Sequence, residues 1–450
     1  QGNACTTRVI DAADGSGSGG RRAIYGQGNA DGFGRHGAVG DFNGDGSLDL
    51  AVGAPGGDGP SDGRDACGTA YVLYGPIDAG VDLADVAADV EIHGADAGDE
   101  LGWAVAAGDL NGDGIDDVVV GAPGGDGSGN GRPDTGQVHV FYGGGLSPTI
   151  DLSSVGSNLL FFGESDGDRL GENLLVYDSD GNGSADLVMA SPGSDADYNS
   201  IPGGGEIWVL RQENLTSVTT LELVPEVNVD NYINGAGDGD GIGRAMAAGD
   251  VDGDGVDDLL LGVANGDGAG DLDAEAGEVY VLGGSDIIGL IQEIQLANPS
   301  EFTAVLYGRT PGDRAGRSVA AADTNGDGFD DVLVGISGQG GPPGGEARAN
   351  AGGGHLLMGR SDWSAADGGI IEEEAERGFF GARAGEELGW SVAITDHDGD
   401  GSPDYLFGAP GSNGPSSLRF DAGSVVVAAG GRLHAGTTVV DLGSVPASQI

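Results

Sequence analysis

Asp109-Leu-Asn-Gly-Asp-Gly-Ile-Asp-Asp117 is the stretch whose reading decides the fold of this chain. Oxygen-bearing side chains stand at alternate positions, Asp109, Asn111 and Asp113, and can converge on one point only if the backbone curls tightly. Gly112 and Gly114 permit the positive φ that such curling needs. The backbone carbonyl of Ile115 and the carboxylate of Asp117 would close the shell. All-oxygen donors, high negative charge and no His or Cys favour Ca2+ over zinc or copper, while magnesium demands a smaller and more rigid octahedron.

The pattern recurs at Asp41, Asp178, Asp250, Asp323 and Asp396, at intervals of 68, 69, 72, 73 and 73 residues. The expected ligand sets are Asp41, Asn43, Asp45, Ser47 and Asp49; Asp178, Asp180, Asn182, Ser184 and Asp186; and Asp250, Asp252, Asp254, Val256 and Asp258. The last two sets are Asp323, Asn325, Asp327, Phe329 and Asp331, then Asp396, Asp398, Asp400, Ser402 and Asp404. The seventh position contributes its carbonyl in each, and about six Ca2+ ions are expected. An EF-hand opens in the same way but needs a bidentate Glu at position twelve and flanking helices. Position twelve here is Val52, Val120, Met189, Leu261, Val334 or Phe407, inside short strand-like runs, so the EF-hand is rejected.

Around each loop the same order of elements returns. An apolar piece ending in Gly precedes a polar turn; then come the loop, a run such as Asp116-Asp-Val-Val-Val-Gly-Ala-Pro123, a glycine-rich excursion and a run such as Gly136-Gln-Val-His-Val-Phe-Tyr142. Each unit holds about four strands, and such a small sheet buries both faces only by stacking on its neighbours. The pattern predicts an all-β chain: a β-propeller of four-stranded antiparallel blades, six from the six visible repeats, or seven if the terminal arms build another. The sixth unit supplies three strands and the missing one stands at Ala23-Ile-Tyr-Gly26, so the N-terminal strand is expected to join the C-terminal blade and close the ring. Residues 437–442 match the connectors Val81-Asp-Leu83 and Ile150-Asp-Leu152. The expected organisation is an arm at 1–22, the propeller at 23–430 and a closing segment at 431–450.

Glycine numbers 94 of 450 residues, clustered at turns between aliphatic runs as in all-β chains. The net charge is −55, with 73 acids against 18 arginines and no lysine. Six calcium ions would leave about −43, so metal loops alone do not account for the acidity; a solvated acidic shell argues against nucleic acid or anionic membrane as partner. Cys5 and Cys67 are the only cysteines, and paired they would pin the arm to the first repeat. No apolar run reaches the length of a membrane span and no signal peptide stands at Gln1, as expected of a mature, processed product.

These features resemble the FG-GAP repeats of the integrin α-subunit propeller and its bacterial relatives. The likeness rests on Gly32-Phe33-Gly34 with its variants Leu101-Gly102-Trp103 and Leu388-Gly389-Trp390, on the Asp-rich loop, and on Gly-Ala-Pro at 53–55, 121–123 and 408–410. It covers residues 22–430, although the third, fourth and fifth units replace Gly-Ala-Pro by Ala190-Ser-Pro, Gly262-Val-Ala and Gly335-Ile-Ser. The resemblance implies a calcium-dependent extracellular or cell-surface propeller that presents loops to a protein partner.

Without lysine, P-loop and Schiff-base chemistry are excluded; the six histidines are scattered, and neither HExxH nor a G-x-S-x-G elbow occurs. The expectation is therefore a protein that is not an enzyme, acting as an adhesion or surface-assembly scaffold. The alternative is a calcium-dependent lectin, and Trp103 and Trp390 are expected to pack between blades rather than on a sugar. The excursions at 56–67, 124–135, 193–203, 265–276, 338–352 and 411–421 all follow a second strand and form the candidate binding face.

Overall fold

A computed structural model describes residues 23–443, except 29, 61–62, 78–79, 196–200, 216–218, 224–228, 269–272, 288–291, 346, 414–422 and 431–437. Cys5 and the arm at 1–22 lie outside the described residues, as does part of the closing segment, so the pairing of Cys5 with Cys67 is not among the contacts described. The chain divides into two compact units: residues 1–178, 182–234 and 289–293 form one, and 179–181, 235–288 and 294–450 the other.

In the first unit, the strands Gly37–Gly40, Asp49–Ala54, Thr69–Leu73 and Val90–His93 pair antiparallel in sequence order. The fourth is the apolar piece of the following repeat, so every sheet of this kind borrows a strand from the next unit of sequence. A fifth strand, Thr149–Asp151, adds in parallel to Val90–His93. The second sheet repeats this with Val105–Gly108, Asp117–Ala122, Gln137–Phe141, Leu159–Phe162 and a parallel Thr220–Glu222. The third is built on Asn173–Tyr177, Asp186–Ser191, Glu206–Leu210 and Asn231–Asn234. Five strands per sheet, where the sequence predicts four, come from the connectors: segments of two to four residues, too short to read as strands, are long enough to extend an exposed edge.

The second unit holds two further sheets of five. One contains Ala245–Gly249, Asp258–Val263, Glu278–Leu282, Ala304–Tyr307 and Gly369–Ile370; the other contains Ala315–Ala322, Asp331–Ile336, Gly353–Leu357, Arg377–Phe380 and Val439–Asp441. The last strand falls in the segment matched to the connectors by sequence, and it pairs in parallel with Arg377–Phe380 as the other connectors do with their sheets. A three-stranded sheet, Ser391–Thr395, Asp404–Ala409 and Ser424–Ala428, completes the unit. Ile24–Tyr25, expected beside Ser424–Ala428, pairs in parallel with the connector Val81–Asp82 in a two-stranded sheet of its own. The architecture is thus all-β, built of repeated small sheets with the stacking of a propeller.

Cores form where successive sheets face one another. Phe42, Val72 and Ile92 of the first sheet pack with Leu101, Val118 and Phe141 of the second, all buried. Val119, Val138 and Phe161 pack with Leu174, Leu187 and Trp208 in the same way. In the second unit, Leu260, Val281 and Leu306 meet Val332, Val334 and Trp363, and Leu333, Leu356 and Phe379 meet Tyr405 and Phe407. In the first five sheets second and third strands are buried on both faces, which explains their unbroken apolar runs, whereas in the last Val425 is exposed; each buried aliphatic side chain contributes roughly 1.5–3 kcal/mol.

Glycines at two recurrent positions set how closely the sheets approach. A methyl group on Gly53 would fall 1.8 Å from the Gly102 carbonyl oxygen, and one on Gly121 would fall 2.0 Å from that of Gly171. The second unit repeats this at Gly262 with Gly316 (2.1 Å) and at Gly335 with Gly389 (2.2 Å). The glycines of the Gly-Ala-Pro and Phe-Gly motifs are therefore the points where adjacent backbones touch. Trp103 and Trp390 meet the preceding sheet as expected, each under a guanidinium: Arg35 Cζ lies 3.5 Å from the Trp103 ring centre and Arg317 Cζ 3.8 Å from that of Trp390. Trp390 nonetheless keeps 40% of its surface exposed.

Candidate metal centres

Each Asp-rich loop joins the first strand of a sheet to the second, and each excursion joins the second to the third. Because these strands are antiparallel, loops and excursions lie at opposite ends of every sheet.

Within a loop the first Asp organises the curl. Asp41 Oδ1 accepts the N–H groups of Gly44 and Asp45 (2.8 and 3.1 Å), and its Oδ2 accepts that of Gly46 (2.8 Å). Asp109, Asp323 and Asp396 repeat all three bonds. The third side chain then receives the fifth N–H, as from Asp45 to Asn43 Oδ1, and the fifth receives the seventh, as from Ser47 to Asp45 Oδ1 (2.8 Å each). Ile115, Ser184, Val256, Phe329 and Ser402 make the same seventh-position bond. Glycines at the fourth and sixth positions hold φ between 70° and 90° in all six loops. Backbone N–H groups thus hold the first Asp at both oxygens and the third and fifth side chains at one, which sets these side chains close together.

That arrangement gathers carboxylates. The oxygens of Asp250, Asp252 and Asp254 lie within 4.8 Å of one another, as do those of Asp396, Asp398 and Asp404, and of Asp178, Asp180 and Asp186. Asp250 Oδ1 is buried yet has no hydrogen-bond partner. Burial raises the Asp252 pKa, as do the neighbouring Asp254 and Asp250 charges. An orphaned buried oxygen amid like charges is the environment a hard divalent cation would relieve, so the donor set fits Ca2+. In the first, second and fifth loops, Asn43, Asn111 and Asn325 replace one carboxylate by an amide oxygen, a donor calcium also takes.

The ninth position does more than the sequence indicated. Asp117 is fully buried; its Oδ2 accepts the Leu110 N–H (3.0 Å) and its Oδ1 the Gly143 N–H (2.9 Å), tying the loop to the end of the third strand. Asp49 makes the same staple with Phe42 and Gly75, Asp258 with Val251 and Gly284, Asp331 with Thr324 and Gly359, and Asp404 with His397 and Gly430. Desolvation raises the pKa of Asp117 and Asp258 to about 7 despite these bonds. The glycine after the third strand was the legible signal: a methyl on Gly430 would lie 1.9 Å from the Pro403 carbonyl oxygen.

Position eight, which sequence reasoning left without a role, links neighbouring loops. Asp116 Oδ2 accepts the Asp41 N–H (2.8 Å) while the Asp116 N–H donates to the Asp41 carbonyl (3.1 Å). Asp330 and Asp250 repeat both bonds. The excursions have their own closure, in which Asp58 Oδ1 accepts the Ala66 N–H, Asp126 that of Asp134 and Asp267 that of Glu275. Among the histidines, His93, His139 and His355 are buried on strands, and His434 lies outside the described residues.

The FG-GAP repeat family model matches residues 33–73, 101–141, 242–282 and 315–357, four of the six repeats. The third and sixth, outside that match, carry the same loop and the same first three strands. Phosphatidylinositol-glycan-specific phospholipase D of Rattus norvegicus is 40% identical over 179 residues, which is 38% of this chain and 19% of that protein. Integrin alpha-PS2 of Drosophila melanogaster is 28% identical over 233 residues, 51% of this chain and 15% of that protein. The chain thus spans about a fifth or less of the length of these relatives. Among solved structures, a rhamnogalacturonan lyase, YesW, aligns with 75% of this chain and 51% of its own at 14% identity and a TM-score of 0.37.

The expectation that the chain is not an enzyme is overturned by the phospholipase D relatives, which are enzymes by name. That expectation rested on the absence of Lys, His and Ser motifs from this chain, which says nothing of enzymes that carry similar repeats over about a fifth of their length. Four matched repeats, the recurrent loop geometry and the integrin α relatives identify the chain as an FG-GAP repeat protein of the integrin α-like kind.

Proposed function

We propose that the six loops each hold one Ca2+ and that the chain is a calcium-stabilised extracellular or cell-surface propeller presenting its excursion loops to a protein partner. The observation that carries this is the recurrent loop geometry, with carboxylates preset by backbone N–H groups and a buried oxygen of Asp250 left without a bond. The first, third, fifth and ninth side chains and the seventh carbonyl of each loop would be the ligands. Bound calcium would neutralise the converging carboxylates; the protein's own part is to hold them close against their repulsion, so that binding stabilises the fold. In this reading residues 23–430 make six blades, with 1–22 and 431–450 on either side of them in sequence.

The partner face lies at the end of the sheets away from the loops, so calcium would stiffen the frame rather than touch the partner. The test is recovery of partners from the native extracellular fraction on immobilised protein, in calcium and then in chelator, with thermal melts in both. A calcium-dependent protein partner and a melting temperature lowered by chelator are expected; an unchanged melt would sink the calcium reading. Glycan recognition is a second reading, favoured by the glycan in the name of the phospholipase D relatives and by a cavity in the fifth sheet lined by both polar and apolar side chains.

A further inference from the structure

One position in the repeat breaks the rule that the others obey. In five of the six sheets the middle of the third strand carries a ring in register with the middle of the second: Tyr71, His139, Trp208, Tyr280 and His355; the sixth has Val426. In four sheets the polar atoms of that ring are hydrogen-bonded. The Tyr71 hydroxyl donates to Gln27 (3.4 Å), Trp208 Nε1 to Ser191 (3.2 Å) and the Tyr280 hydroxyl to Glu278 (2.7 Å). His139 uses both nitrogens, toward Ser157 and Gln137.

His355 does not. Its Nε2 meets the Gln339 amide, but its Nδ1 is buried without a hydrogen bond, and the residue is only 3% exposed. Glu372 Oε2, a few residues before the strand Arg377–Phe380, is buried and unbonded as well. Both residues line a cavity of about 640 Å³, together with Arg309, Asp313, Gln339 and Phe380. That size is typical of small-ligand sites, about 300–1,000 Å³. Gly378 packs against the imidazole, and a methyl there would press on it, 2.8 Å from His355 Cε1 and 3.1 Å from Nδ1.

We infer that this cavity is a binding site for a neutral sugar residue. Two unsatisfied polar atoms, a carboxylate at Asp313 and the guanidinium of Arg309 offer alternating acceptors and donors, as a ring of hydroxyls requires. Phe380, Ala375 and Pro343 supply the apolar wall for its C–H face. Two acids against one arginine disfavour phosphate or an acidic sugar. These groups do not form a metal cluster either, since the carboxylate clusters found among the described residues lie in the Asp-rich loops. Burial holds His355 neutral, its pKa pushed down to about 4, and raises that of Glu372 above the usual carboxylate value. The assignment rests on the glycan reading and is independent of the calcium reading.

The test is saturation-transfer NMR on the full chain in calcium, with the methyl glycosides of glucose, galactose, mannose and N-acetylglucosamine. At least one glycoside should bind, and Gly378→Ala and Glu372→Gln should each weaken it about tenfold or more. Glu372→Gln is nearly isosteric and should keep the wild-type melt, so lost binding there cannot be attributed to unfolding. A signal unchanged in both variants would overturn the pocket assignment while leaving glycan binding in place; no signal from any glycoside would overturn both. Displacement of the glycoside by inorganic phosphate would overturn the assignment in favour of an anion site. The chelator melt reports on calcium independently of all of these outcomes.

Discussion

Asp117 and Asp113 sit four residues apart in one loop and should fail differently. Asp117 is buried and satisfies two backbone N–H groups, whereas Asp113 is exposed and bonds within the loop. Asp117→Ala strands those two donors and is expected to cost roughly 2–4 kcal/mol in urea unfolding even in chelator, and more in calcium, where a ligand is lost as well. Asp113→Asn should lower stability only when calcium is present. Equal behaviour of the two variants would show that the ninth position is a ligand and nothing more. His139 gives a pH signature. Desolvation holds it neutral with a pKa near 4 against an ordinary 6.5, so the folded state binds fewer protons between those values. Its stabilising contribution is complete above about pH 6.5 and is lost as pH falls toward 4. Asp99, raised to about 6 by burial, acts in the opposite sense and becomes less unfavourable on acidification. Between pH 7 and 5, a His139→Gln variant should therefore lose roughly 2 kcal/mol less than the wild type, read from urea midpoints.

At the scale of strands and loops, the glycines of the repeat separate into two kinds. Gly114 holds a φ of 86° in open space, with nothing within 4 Å of where a methyl would stand, so Gly114→Ala costs only the left-handed backbone, about 1–2 kcal/mol. Gly121 has an ordinary backbone, but a methyl there would meet the Gly171 oxygen at 2.0 Å, so Gly121→Ala must force two sheets apart. We expect about 3 kcal/mol or more, with the order reversed if the glycines served only as turns. The scarce arginines act between elements as well. Arg64 bridges the Ala95 carbonyl and Asp151 of the parallel fifth strand; Arg132 does so with Glu164 and Glu222, and Arg348 with Gly381 and Asp441. Arg64 holds the Asp151 carboxyl down at about 2. Loops, strand order and the borrowed fourth strand were legible because the chain repeats them in register. The fifth strands were not, since two or three residues carry no periodicity, and the Arg bridges were not, since their partners lie 87 to 93 residues away in sequence. The His355 cavity was illegible for a different reason: it arises from one repeat's departure from the pattern, and only the hydrogen bonds of the other four rings expose it.

At the scale of the whole molecule, charge matters most. A net charge of −55 repels itself, and about 53 of the 73 acids are not expected loop ligands, so bound calcium would relieve only part of the repulsion. In chelator, raising NaCl from about 0.05 to about 1 M should raise the melting temperature by several degrees, because the Debye length falls from more than 10 Å to about 3 Å. A flat response would mean that the acidic shell is too dilute to matter. The FG-GAP repeats were readable from sequence because their motifs mark physical necessities: a tightly curled Asp-rich loop, and two points of backbone contact. Enzymatic kinship was not readable, since the matched repeats make up about a fifth of the phospholipase D relatives and carry none of the motifs by which chemistry is usually recognised. The most direct test of the account is a count of bound calcium by equilibrium dialysis and elemental analysis, on the wild type and on a variant with Asp250, Asp252 and Asp254 all changed to Asn. About six ions per chain, falling by one in the variant, is the expected result. No retained calcium in the wild type, or an unchanged count in the variant, would contradict it.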